Sequence, residues 1–165
     1  MSQITFSLPE IFALIGVIQC TYLIVHIGLR GRLISHAGLP LLYFLVLGLA
    51  FTTDLAQGRL GLSSDPYFYL QWLLWFAGPP LSFLVSIQLA DTAKTPSIRD
   101  YWVLLLLPRS FMLSILGADT AIGCKPGETC EALRDLLKVT GLMAGTISLL
   151  VIFSKKDLLK NLPKQ

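Results

Sequence analysis

Five stretches of this chain are apolar for longer than a soluble helix requires, and charge or turn residues bound each of them. No Asp, Glu, Lys or Arg stands between Glu10 and Arg30, between Arg32 and Asp54, or between Asp65 and Asp91. The fourth block, Ile98 to Gly117, carries Arg99 and Asp100 in its first turn and one charge deeper in, Arg109. The fifth opens with two charged turns (Glu131, Arg134, Asp135, Lys138) and is charge-free from Val139 to Phe153. Crossing the roughly 30 Å hydrocarbon core takes about 20 apolar residues in a helix. The pattern predicts spans over about 8–29, 38–56, 66–90, 99–117 and 136–153. In the tail, 154–165, Leu158, Leu159 and Leu162 oppose the lysines, which predicts an amphipathic segment lying on the inner leaflet.

Lipid admits only helices and closed barrels, because every backbone polar group must be satisfied within the protein. The runs lack the period-two alternation of barrel strands. The predicted fold class is therefore all-α, an integral membrane bundle of about five transmembrane helices in one domain without internal repeats. Local signals mark the helix starts. Ser7 stands three residues before Glu10, a spacing that lets the carboxylate reach back to the cap's own N–H. Asp65-Pro66 reads as a cap followed by a first-turn proline, and Ser97 with Asp100 resembles a second capping pair.

Composition agrees with the pattern. Hydrophobic residues make up 54% of the 165 and charged residues 14%, against roughly 25% charged in soluble domains; the mean hydropathy is +0.69. A net charge of +3 is too small to suggest a nucleic-acid partner. Its distribution is more informative. Arg30, Arg32, Lys94, Arg99, Lys155, Lys156, Lys160 and Lys164 fall on one predicted face. Arg59, Lys125, Arg134 and Lys138 fall on the other, together with Glu10, Asp65, Asp119, Glu128, Glu131 and Asp135. The excess of Lys and Arg on the first face predicts an outside N-terminus and a cytoplasmic C-terminus. The first block lacks a basic start and a small-residue cleavage site, so it reads as a retained helix rather than a signal peptide.

Few side chains offer chemistry. Arg109 lies about eight residues into its block, roughly 12 Å deep at the α-helical rise. An intramembrane charge should face protein or water, and Asp54, His26, Ser82, Ser86 and Gln88 are its candidate partners. It is a working site, a packing ion pair or a snorkelling side chain. Gly78-Pro79-Pro80 sits in the middle of the third span, where two missing N–H donors predict a kink, serving as a hinge or as a static bend. Cys124 and Cys130 flank a turn-rich loop on the predicted outer face, where oxidising conditions favour a disulfide; two thiols with no nearby His are too few for a metal site. Cys20 reads as a small core residue. Tyr67, Tyr69, Trp72 and Trp75 at one end of the third span, with Tyr101 and Trp102 opening the fourth, read as interfacial anchors. A bis-histidine haem would need His36 as well as His26 deep in the bilayer, and His36 falls in a loop. No phosphate loop, zinc motif, nucleophile elbow or facing pair of intramembrane acids is present. The chain is read as a non-enzyme without a cofactor.

The order of features resembles a known family. Ser7-Leu8-Pro9-Glu10 opens the first helix, Arg30-Gly31-Arg32 follows it, Gly78-Pro79 lies in a later helix, and Leu106-Leu107-Pro108 in the next. This looks like the N-terminal membrane region of bacterial membrane-anchored AraC-type regulators, in which a multi-helix sensor region precedes a cytoplasmic helix-turn-helix pair that binds DNA. The likeness covers roughly residues 7 to 110. The chain departs from it in having nothing after Phe153 that could form a DNA-binding domain, and in the added Pro80. The resemblance implies a stand-alone, sensor-like module of the bacterial inner membrane that signals through a membrane protein partner or a homo-oligomer, with no binding residue carried over. A small transporter or channel subunit, and an accessory or immunity-type subunit of a membrane complex, are the competing classes.

Overall fold

The computed structural model describes residues 7–30, 34–60, 65–90, 96–122 and 130–154, without the side chains of 30, 34–36, 58, 65, 90 and 120–122. Cys124, the tail 155–165 and the side chain of His36 thus lie outside the described residues. The elements in order are α1 (Leu8–Arg30), α2 (Ile34–Leu60), α3 (Asp65–Ala90), a 3-10 segment (Asp100–Leu105) that runs into α4 (Leu106–Ile122), and α5 (Glu131–Ser154). Among the described residues there is no strand, and five helices are long and apolar enough to cross a membrane.

Two of the read starts have the expected chemistry. The Ser7 N–H donates to Glu10 Oε2 at 2.7 Å, and the Ser97 N–H to Asp100 Oδ2 at 3.0 Å. The helices overrun the read boundaries where polar turns stay helical. Residues 34–37 and 57–60 both belong to α2. Arg59 stands in its last turn, where a cation complements the free carbonyls of the helix end. In α5 the charged turns 131–135 are helical too. The Leu133 N–H finds the Cys130 sulfur at 3.3 Å, and the Arg134 N–H finds the Cys130 carbonyl at 3.2 Å. The fourth span opens as 3-10 rather than α, with the Asp100 N–H bonded to the Ser97 carbonyl at 2.8 Å.

The chain divides into two compact units, Met1–Trp75 and Phe76–Gln165. The division falls within α3, at the turn whose carbonyls lose their donors to Pro79 and Pro80. The helix itself runs unbroken through Gly78, Pro79 and Pro80.

In the first unit α1 and α2 are antiparallel neighbours. Ala13, Cys20 and Ala50 are buried. A Cβ on Gly16 would stand 2.6 Å from the Phe51 ring, and one on Gly48 would stand 3.2 Å from Cys20 Cβ. Small residues on one helix thus let the other approach closely. The bulky apolar side chains of α1 point the other way: Leu8, Phe12, Ile18 and Leu29 are each more than half exposed. A buried seam of small residues beneath an exposed coat of large apolar ones inverts the pattern of a soluble domain.

The second unit repeats the device. In α4, Ser110, Ser114 and Ala118 are buried at four-residue spacing; in α5, Leu133, Leu137, Gly141, Ala144, Gly145 and Ser148 form the buried stripe. A Cβ on Gly141 would stand 2.6 Å from the Phe76 ring, and one on Gly145 would stand 3.3 Å from Pro79 Cγ. Pro79 is therefore a packing surface for α5. Leu113, Leu116, Leu142, Met143 and Leu150 face outward.

Candidate functional site

A cluster of hydrogen-bonded polar side chains lies where α2 ends and α3 begins. Asp54 lies six residues before the end of α2, roughly 9 Å along the axis, and is half-buried. Its Oδ1 accepts from Gln71 Nε2 at 2.5 Å and from Trp75 Nε1 at 3.1 Å. Gln71 Nε2 also donates to Gln57 Oε1 at 3.0 Å, and the Tyr67 hydroxyl donates to the Thr53 carbonyl. The Trp75 ring meets Phe51 edge-on at 5.3 Å, and Phe51 in turn lies over Gly16. Close packing of α1 on α2 thereby fixes the indole that holds the carboxylate.

Two neutral donors share one oxygen of Asp54, and no cation pairs with it among the described residues. The nearest basic residue on its own helix, Arg59, is engaged elsewhere, with Nε 3.2 Å from Glu10 Oε1. Such a carboxylate is suited to holding a small cation on its second oxygen.

The residues singled out from the sequence do not converge. Asp54 is at this site. His26 stacks on Tyr22 with ring centroids 5.9 Å apart, and both are exposed. The pairs Glu10–Arg59, Gly16–Phe51 and Cys20–Gly48 set the register of α1 on α2. In that register His26 is roughly 18 Å further along the axis than Asp54, at the other end of the pair. Arg109 is exposed on α4 and makes no hydrogen bond or ion pair among the described residues. The stripe of α4 that is buried consists of Ser110, Ser114 and Ala118, and a guanidinium there would hold α5 away. The expected partners are engaged locally: Ser82 Oγ bonds the Pro79 carbonyl and Ser86 Oγ the Ser82 carbonyl, each at 2.7 Å. Cys20 is buried and free, as its core reading required. The pairing of Cys130 with Cys124 rests on a residue outside the description.

The aromatic residues at the head of α3 depart from the anchor reading. Trp72 is only 6% exposed, while Trp75 and Tyr67 spend their polar atoms on α2. Tyr101 and Trp102 are exposed as anchors would be. Sequence reasoning missed Gln71 and Trp75 as partners of Asp54, and Gln57 as a second acceptor for Gln71, although a signal existed. Asp54 and Gln71 are equally far from the middle of the α2–α3 connection, and residues so placed stand level in an antiparallel helix pair. Gln71 and Trp75, four apart, share one face of α3.

No protein-family model matches the chain, and no curated protein or solved structure matches it.

Proposed function

We propose that the chain is a five-span integral membrane protein of the cell membrane, with its N-terminus outside and its C-terminus in the cytoplasm, working as a non-catalytic, sensor-like module that acts through a partner protein. The observation that carries this reading is the Asp54 carboxylate, set inside an apolar helix and held by Gln71 and Trp75 with no cation paired to it among the described residues. An ionisable group in a span marks a functional site by default, because its desolvation is costly and has to be offset. On the outward-facing end, this group takes up a small cation on its second oxygen, and α2 and α3 register the change through their shared hydrogen bonds. The exposed coat of large apolar side chains supports a lipid environment, and the Lys and Arg bias supports the orientation.

The test is thermal unfolding of the detergent-purified chain against a panel of monovalent cations and protonated amines. At least one should raise the Tm of the wild type and leave Asp54→Asn unmoved. A panel without effect, or an equal rise in both proteins, overturns the site. Reporter fusions at the two termini test the orientation, and activity of the C-terminal fusion outside the cell would reverse it. The outer loop is proposed to be closed by a Cys124–Cys130 disulfide; both thiols labelled in native membranes without reductant would remove it.

An accessory-subunit role is the second reading. It is favoured by the exposed position of Arg109.

A further inference from the structure

Arg109 combines three properties that are costly together in a span: it is charged, exposed, and without a partner among the described residues. Its surroundings are an open, shallow groove on one side of α4 lined by Pro108, Met112, Leu113 and Leu116. The last three are 61%, 64% and 60% exposed, so this face meets whatever surrounds the protein. The 3-10 opening from Asp100 to Leu105 rises faster per residue than an α-helix. It carries Arg109 about 16 Å from Asp100, close to the middle of a core about 30 Å thick. An arginine side chain extends on the order of 6 Å and leans toward the helix N-terminus. Snorkelling therefore leaves the guanidinium about 10 Å short of the level of Asp100.

We infer that this face of α4 docks a membrane-spanning helix of another protein, one that carries an Asp or Glu at mid-depth and pairs it with Arg109. The inference rests on the reading that the chain acts through a partner, and it states that partner's chemistry. Charge complementarity carries it. A planar guanidinium in hydrocarbon is best satisfied by a carboxylate accepting two parallel N–H bonds, and the groove beside it offers only apolar contact. A second copy does not fit the face. A twofold contact sets the same patch against itself, and Pro108, Arg109, Met112, Leu113 and Leu116 include no carboxylate; two guanidiniums would be brought together instead.

The experiment uses the full-length chain in its native membranes, with a photo-crosslinking amino acid in place of Leu113. The expected product is an adduct whose partner peptide, identified by mass spectrometry, lies in an apolar span and contains Asp or Glu. Arg109→Glu should lower the adduct yield by about tenfold or more, the equivalent of one lost charge pair. Placing Lys at the partner's acidic position should restore it. Arg109→Leu suits lipid better than the native residue does, so it should accumulate normally and still lose the adduct. Adducts with lipid only, adducts between two copies, a partner peptide without a carboxylate, or an unchanged yield in Arg109→Glu each overturn the inference. Affinity purification separates this failure from that of the parent reading. A partner recovered equally with the wild type and Arg109→Leu leaves the parent reading standing and removes the docking face. No partner recovered with either removes both.

Discussion

The two units of the chain solve the same packing problem and leave opposite charges over. In the first, Phe51 lies on Gly16; in the second, Phe76 lies on Gly141. Each time a ring occupies the space that a side chain would fill, and each unit packs a helix closely at that point. Their polar groups are handled differently. The second unit pairs Ser114 with Thr140 at 2.7 Å between two packed helices; one hydroxyl donates across and the other donates to a carbonyl of its own helix, Ser110 or Leu136. The first unit holds an acid, Asp54, with neutral donors only among the described residues. The second places Arg109 on its outer face with nothing to balance it among the described residues. Hydroxyls that satisfy themselves locally serve packing. Charges left without a counter-charge are the better candidates for function.

The largest effect should come from filling the glycine seats. Gly141→Leu and Gly16→Leu each push against a ring close to its root, and overpacking of this kind costs about 1–3 kcal/mol. Both should lower the Tm in detergent, with Phe76→Ala relieving the first and Phe51→Ala the second. If a ring truncation fails to relieve its partner substitution, the parallel between the units fails there.

A smaller effect is expected at Asp54. Gln71→Leu removes one of two donors to a half-buried carboxylate and should cost about 1 kcal/mol, and Asp54→Ala, which removes the acceptor, should abolish the sensitivity to Gln71→Leu. A double-mutant cycle on unfolding free energies reads that coupling; additive costs would mean that the pair does not interact. The smallest effect belongs to Ser114→Ala, about 0.6 kcal/mol, because the Thr140 hydroxyl keeps its bond to the Leu136 carbonyl. A loss several times larger would make this bond, rather than the glycine seats, the principal contact between α4 and α5.

The candidate site was legible in part. Asp54 was singled out, since a charge beside a long apolar run is conspicuous, but it was matched to Arg109 by sign. Gln71 is neutral and was passed over, and Trp75 was read as an interfacial anchor. Arg109 was noticed for its depth, and its exposed side chain is compatible with a working site or with snorkelling. Facing inward is the general expectation for an intramembrane charge, whereas here the small residues Ser110, Ser114 and Ala118 claim the inward stripe. Pro79 was read for the hydrogen bond it removes, and its role against Gly145 could not be seen from one strand of letters.

The amino-acid sequence alone determined that this chain forms five long apolar helices, where two of them start, and where its charges fall. Those properties depend on the identity of neighbouring residues, on the length of a run and on capping three residues away. Only the tertiary structure decided which glycine receives which ring, that Asp54 turns to neutral donors, and that Arg109 faces out. A helix that is apolar all round carries no periodic stripe to say which side is inside. In such helices the choice is made by the fit of small residues against large ones on another helix, a property of pairs of segments that neither segment holds by itself.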